Sequence, residues 1–503
     1  MDEAQLHQRI RELESQLAQK DARINWLQEQ FRLAQQKAFG ASSEGHPGQG
    51  ELFDEAESVV AEPETKSTQV GSHVRNKPVR KPLPKSLPRE TVVLDLAEDE
   101  KICDCCQGQL HKIGEDTAEK LEFIPAQVKV IETIRPKYAC RACDKDGTTG
   151  QIKQTPPAPA IIPKGIATPS LLSQIVTSKY QYGLPLYRQE SMFSQYGIEL
   201  SRKTMADWMI RCAQSLEIIY VLLRQILLQQ AVIQADETTL KVVKEDKNTC
   251  YMWLYCTGSD SPVPDSPIPN IVLYDYQRSR SGQCAVEFLD GFSQFLQVDG
   301  YQGYEQTQAT LVGCMAHARR KFMEAKQSQV KGKSGKADMA LNQIQQLYAI
   351  ERRITDKTPE EKQAIRLEKA VPLLTKFRTW LEKSSLQVPP KSKMGDAVNY
   401  SLNQWEKLIH YTQDGRLSID NNRAERAIKP FVIGRKNWLF SNTASGAKAS
   451  ATLYSIIETA KANDLVPFDY LKMLFEELPK RKSDHDLSDL LPWEILPNET
   501  TPV

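Results

Sequence analysis

Two short apolar runs in this chain end in the same way. Ala231-Val232-Ile233-Gln234-Ala235 runs into Asp236-Glu237-Thr238, and Phe295-Leu296-Gln297-Val298 runs into Asp299-Gly300-Tyr301. A short apolar run closed by an acid and a turn signal reads as a buried strand that surfaces at its end. Two such strands side by side put two carboxylates at one edge of a sheet. Either aspartate alone is more often a turn or cap residue, so the pair needs a third observation.

That observation lies in Asp420-Asn421-Asn422-Arg423-Ala424-Glu425-Arg426. The composition from Arg423 onward favours a helix, with cap-type residues before it. Asn421 and Glu425 then share one helical face as i,i+4 neighbours. The chain continues into Gly434-Arg435-Lys436-Asn437-Trp438. A carboxylate in so basic a setting belongs either to a structural ion-pair network or to an acidic site that takes a metal and a polyanion. Taken with Asp236 and Asp299, Glu425 completes three carboxylates able to hold two Mg²⁺ ions for in-line displacement at phosphorus. In that reading Asn421 supports Glu425 from behind. Arg435 and Lys436 are candidate phosphate contacts, and Trp438 either stacks on a base or packs in the core.

The formal net charge of +1 over 503 residues leaves any nucleic-acid surface to local clusters. No apolar run approaches the ~20 residues of a membrane helix, and the start of the chain has no signal-peptide pattern. Ten cysteines at hydrophobic or Cys-x-x-Cys positions suit a reducing compartment. The expectation is a cytoplasmic protein without a membrane partner.

Along the chain, Leu6, Ile10, Leu13, Leu17, Ile24, Leu27 and Phe31 alternate steps of four and three, with Lys20 at the missing position. Residues 1–40 therefore read as a leucine-zipper-like coiled coil for self-association, or as an amphipathic helix lying on its own protein. Residues 41–100 read as a disordered linker whose basic, proline-spaced end either follows phosphates or serves as a tether. Cys103-x-x-Cys106 and Cys140-x-x-Cys143 can give four thiolates to one structural Zn²⁺, in a zinc-ribbon-like module over residues 101–150; a redox pair is the alternative. The alternation of residues 127–134 suggests a small sheet between the knuckles. Residues 160–228 read as helix-turn-helix-like, with Tyr196-Gly197 as the turn and Ser201 as the next cap. Arg202 and Lys203 follow that cap as candidate DNA contacts. Strands alternate with a short helix over residues 229–455, an α/β catalytic core with an all-helical insertion at 323–415. Residues 456–503 form a short helical end. The fold class is thus multidomain α+β.

These motifs resemble those of the transposases of the bacterial insertion sequence 66 family across nearly the whole chain. The matching residues are Phe39-Gly40 with Ser42-Ser43-Glu44, Leu83-Pro84, Leu87-Pro88-Arg89, the cysteine knuckles and Leu184-Pro185-Leu186-Tyr187-Arg188. They continue through Asp236-Glu237-Thr238, Val298-Asp299-Gly300-Tyr301, the run from Ala316 and His317 through Arg319, Arg320 and Lys321 to Phe322, Gly434-Arg435-Lys436-Asn437-Trp438 and Leu490-Leu491-Pro492-Trp493. The resemblance implies a DDE transposase with a ribonuclease-H-like core, with Asp236, Asp299 and Glu425 at the catalytic positions. It implies DNA as partner, with Arg319 and Arg320 among the contacts, and accessory proteins of the same element. Cys314-x-x-His317 matches a motif found after the second acid in several DDE families; read alone, the pair is a core thiol and a satisfied histidine. Two rivals stand beside this reading. One is a glycosidase built on two of the acids. The other is a catalytically inactive, zinc-containing DNA-binding regulator or relic.

Overall fold

The computed structural model describes residues 127–138, 153–247, 249–258, 268–328, 335–481 and 486–495, with isolated positions before residue 127. The zipper seam, the linker, Cys103, Cys106, Cys140 and Cys143 fall outside the described residues, apart from single positions. Of the seam, Leu13, Ile24 and Leu27 are helical and about half exposed. The chain divides into two compact units, one of residues 64–158 and 496–503 and the other of residues 1–63 and 159–495.

The smaller unit contains a two-stranded antiparallel sheet, β1 (Lys137–Tyr138) and β2 (Lys153–Gln154). Before Lys137 the two segments are joined only through side chains at Arg135, two residues back. Gln154 Nε2 donates to the Arg135 carbonyl at 2.9 Å, and Arg135 Nη1 donates to the Thr155 carbonyl at 3.0 Å. Residues 127–134, expected as strand from their alternation, are not strand. Pro136 interrupts the chain between them and β1, and proline has no N–H for a ladder.

The larger unit opens with three helices: α1 (Pro169–Tyr180), α2 (Leu186–Gln195) and α3 (Arg202–Leu227). Gly197, at φ 73°, makes the turn between α2 and α3 in the left-handed region that favours glycine. Ser201 then caps α3 by accepting from Thr204 N at 3.1 Å. The turn and cap stand where the sequence put them, but α3 is 26 residues long. Its second half carries Leu216, Ile219, Leu223 and Leu227, all fully buried. Its first turn carries exposed Arg202 and Lys203, open to a partner.

A five-stranded sheet follows: β3 (Val232–Lys241), β4 (Thr249–Cys256), β5 (Val272–Gln277), β6 (Phe295–Gln297) and β7 (Thr310–Val312). Its order is β5-β4-β3-β6-β7. The first three strands form an antiparallel meander, and β6 and β7 then add parallel to β3. Helix α4 (Gly282–Phe288) and a 3₁₀ turn (Gln302–Gln306) lie in the connections.

The edge strand β5 is closed by a helix. Thr459 Oγ1 accepts from Val272 N at 3.0 Å and donates to the Val272 carbonyl at 2.9 Å, while Ser455 Oγ accepts from Tyr274 N at 2.7 Å. Hydroxyls one turn apart thus occupy backbone groups that would otherwise invite another strand.

Beyond β7 come α5 (Met315–Gln327), α6 (Lys336–Arg353), α7 (Pro359–Ile365), α8 (Val371–Ser385), α9 (Lys393–Asn403) and α10 (Trp405–Ile409). They enclose a second apolar core, including Phe322, Phe377 and Trp405. Thr358, Pro359 and Glu361 start α7 in a capping box, with Glu361 N donating to Thr358 Oγ1 and Thr358 N donating to Glu361. The chain then returns to the sheet as α11 (Asn422–Trp438), α12 (Ala444–Ala462) and α13 (Pro467–Glu477).

Candidate active site

Side chains alternate faces along a strand, so the register assigns each acid its side. Gln234 pairs with Gln297 where β3 and β6 run parallel. Asp236 and Asp299 each lie two residues further on, Asp236 still within β3 and Asp299 just past the end of β6. The boundaries differ from the sequence reading. β3 does not end at Asp236 but continues to Lys241, because β4 pairs with it throughout.

The two glutamines beneath the acids connect three elements. Gln234 Nε2 donates to Gln297 Oε1 at 3.2 Å, Gln234 Oε1 accepts from Ala424 N at 3.3 Å, and Gln297 Nε2 donates to the Ser418 carbonyl at 2.6 Å. The first turn of α11, with Glu425, is thereby fixed to the strand that carries Asp236.

Asp236 Oδ1 accepts from Glu237 N and Asp299 Oδ1 from Tyr301 N, both at 2.8 Å. Burial, with Glu237, Asp299 and Glu425 nearby, pushes the Asp236 carboxyl well above its ordinary value. Glu425 is 5 % exposed. Its Oε2 accepts from Arg320 Nη2 at 3.3 Å, and its Oε1 lies 3.5 Å from His317 Nδ1. Burial and then Arg320 lower His317 to about 4, so at neutral pH an uncharged imidazole faces the carboxylate and the contact is no ion pair. Cys314 Sγ, His317 and Glu425 offer ligand atoms within 4.8 Å of one another, a set able to hold a metal ion.

The expected residues fare differently. Asp299 and Glu425 lie near enough to Asp236 to act on its charge, while the ligand atoms that gather within 4.8 Å of one another are those of Cys314, His317 and Glu425. Asn421 is fully buried one turn before Glu425, and its side-chain amide has no hydrogen-bond partner. It does not cap α11; Asp420 Oδ1 instead accepts from Asn422 N at 3.2 Å. Arg320 is turned to Glu425 rather than outward to DNA, and Arg319 is half-buried on the same helix. Arg435 donates to the Thr239 carbonyl and hydroxyl, whereas Lys436 is exposed. Trp438 packs edge-on against Tyr180 at 6.1 Å and lies 6.2 Å from Tyr454, which makes it a packing residue. His317, expected as a satisfied histidine, instead faces Glu425.

Sequence reasoning missed Tyr400. A Cβ on Gly300 would stand 2.8 Å from its ring, so glycine after Asp299 admits α9 to the site.

The donor types suit hard divalent cations: Asp236 is held against ionisation with Asp299 and Glu425 acting on it, and a buried amide without a hydrogen-bond partner lies one turn before Glu425. This has a measurable cost. Asp236 keeps its proton above 3.8, so over that range the folded chain binds a proton that the unfolded chain has lost. Stability therefore falls as pH rises from about 4 toward the folded value. Without divalent metal, Asp236→Asn is expected to melt above wild type at about pH 8 and not at about pH 4. Equal melting temperatures at both would show that the site carries no such burden.

Comparison with known proteins places the chain among the transposases. The description "Transposase IS66 family" matches residues 164–449. Further matches are the zinc-finger binding domain of transposase IS66 (100–144), "Transposase C of IS166 homeodomain" (26–92) and the IS66 C-terminal element (455–493). The chain belongs to the IS66 transposase family. It is 34 % identical over 506 residues to the uncharacterized protein y4hP of Sinorhizobium fredii (strain NBRC 101917 / NGR234), covering 96 % of this chain and 86 % of that one. The uncharacterized protein y4jD of the same strain is 34 % identical over 423 residues, covering 82 % and 81 %. No solved structure matches. Among the described residues, no helix is long and apolar enough to cross a membrane.

Proposed function

We propose that this transposase cleaves and joins DNA strands at a DDE site formed by Asp236, Asp299 and Glu425 on a ribonuclease-H-like sheet. The observation that carries the reading is the parallel register of β3 and β6, which sets Asp236 on β3 and Asp299 just past the end of β6 at equal distances from the Gln234–Gln297 pair, with the turn carrying buried Glu425 tied to Gln234 through Ala424 N. An antiparallel meander followed by two parallel strands is the sheet order that a ribonuclease-H-like core requires, which supports the fold.

Two Mg²⁺ ions held by the three acids would supply Lewis-acid activation of the attacking and leaving oxygens. The protein's own contribution is position. The glutamine bridge ties β3 to β6 and to the first turn of α11, Asn421 stands one turn before Glu425 with its amide unpartnered, and burial with the neighbouring carboxylates disfavours the charged form of Asp236 until a cation offsets it. Lys436, Arg202 and Lys203 are exposed and are the phosphate contacts of this reading. Incubating the full chain with DNA carrying element ends and Mg²⁺ tests it, and cleavage that persists without the acids would refute it.

The zinc-finger match supports Zn²⁺, and we assign Cys103, Cys106, Cys140 and Cys143 as its ligands. Self-association is assigned to residues 1–40, and the cytoplasm is the proposed location, with accessory proteins of the same element as further partners. One set of variants tests the first two assignments. Cys140→Ser should lose stoichiometric zinc, and removing residues 1–40 should lower the oligomer mass seen by light scattering. Retained zinc or unchanged mass would overturn the corresponding assignment.

A further inference from the structure

The residue after Asp236 points to the opposite face of the sheet and holds an arginine there. The Glu237 side chain is 2 % exposed. Tyr304 donates its hydroxyl to Oε2 at 2.6 Å, and Arg280 donates Nε to Oε1 at 2.8 Å and Nη2 to the same oxygen at 2.5 Å. Arg280 lies on the connection between β5 and α4, and its guanidinium sits 4.0 Å from the centroid of the Tyr301 ring. Tyr301 in turn donates its hydroxyl to the Arg280 carbonyl and its backbone N–H to Asp299 Oδ1. Arg280 is therefore fixed to the loop that carries the second acid.

The way it is fixed is informative. A guanidinium has five N–H donors, and both bonds to Glu237 go to a single oxygen because Tyr304 occupies the other. The remaining donors have no partner among the described residues, and the side chain is 45 % exposed. An immobilised guanidinium with its outer edge open is an oxyanion receptor. Asp299 acts on its charge as well as Glu237, and such carboxylates would otherwise repel a phosphodiester.

We propose that Arg280 binds a backbone phosphate of the DNA strand entering the carboxylate site, and that Glu237 positions it. This deepens the DNA-processing reading above and rests on it. The test is binding of the full chain to a fluorescent mixed-sequence duplex across a salt series, without divalent metal. Arg280→Gln, which can still hydrogen-bond Glu237, should lower the slope of log affinity against log salt by about 0.9, one phosphate's worth. Its affinity at moderate salt should fall about tenfold. Arg280→Lys should recover most of the slope. Arg278→Ala is the charge control, since Arg278 pairs with Glu245 and is 74 % exposed; its slope should remain that of wild type. Glu237→Asp keeps the charge and shortens the anchor, so it should weaken binding in wild type but not in the Arg280→Gln background. A wild-type slope in Arg280→Gln, an equal drop in Arg278→Ala, or additive effects of the Glu237 and Arg280 changes would overturn the proposal. The readout needs no cleavage. Normal cleavage by Asp299→Asn would sink the DDE reading and leave the slope result standing.

Discussion

Asp236→Asn, Asp299→Asn and Glu425→Gln should each abolish cleavage of end-containing DNA while leaving end binding near wild type. The amides keep the volume of the acids and remove the charge that two divalent ions need. Losing ~4 kcal/mol of transition-state stabilisation is roughly a thousandfold in rate. The single variants should be nearly as inactive as the triple, because the three carboxylates act as one unit. Binding should persist because the exposed basic residues lie on other elements. Ca²⁺ should support binding without efficient chemistry, since its looser coordination aligns the reacting oxygens less well. Asp420, although close in sequence, is a poor control: it is buried, accepts from Tyr348 Oη at 2.8 Å and takes the Asn422 N–H at the start of α11. Exposed Asp290 serves better, and Asp290→Asn should cleave normally. A wild-type rate in Glu425→Gln would remove Glu425 from the metal site.

The parts of this site that were legible in the sequence are those with a local signature. A run of apolar residues ending in an acid marks a strand because alternation and turn chemistry act over a few residues, and both aspartates stand on such runs. Glu425 was legible through its helical composition, and α7 through its capping box. The run containing Gln234 was read as simply apolar, yet the glutamine within it was the signal for the bridge to Gln297 and Ala424. Arg280 and Tyr400 carried no local mark, because their roles depend on contacts with Glu237 and Gly300 from distant parts of the chain. Trp438 shows the converse. Its basic neighbours suggested DNA, but its ring is held by Tyr180, far from it in sequence, and by Tyr454 on the following helix. The alternation of residues 127–134 misled because period alone gives a strand no partner.

Arg366→Ala should be the most destabilising single substitution in the helical insertion. The guanidinium sits on a π turn (Arg366–Ala370) that joins α7 to α8, and its residue is 2 % exposed. Nε and Nη2 fork onto the two oxygens of Glu351 at 3.0 and 2.6 Å. Nη1 donates to the carbonyls of Tyr411 and Asp414 at 2.9 and 3.0 Å, and Nη2 to that of Leu417 at 2.9 Å. One side chain thus closes the returning segment 411–417 against α6 and the π turn. Alanine would leave a largely buried carboxylate and three carbonyls without their donor. Breaking such a pair from one side costs about 3–5 kcal/mol, a large share of the roughly 5–15 kcal/mol that holds a domain together. Lysine should not rescue it, since an ammonium has no planar fork to span a carboxylate and three carbonyls. Glu351→Gln should cost less, because the carbonyls keep their donor. The effect should reach the acids as well: the same segment leads through Ser418, whose carbonyl takes the Gln297 amide, to Asn421 and Glu425. Cleavage should therefore fall with stability while end binding by the intact first turns of α3 is retained. Denaturant unfolding of the full chain, followed by tryptophan fluorescence, measures the first effect. A loss below about 1 kcal/mol in Arg366→Ala, the size of one ordinary hydrogen bond, would show that the returning segment is held by its apolar contacts instead.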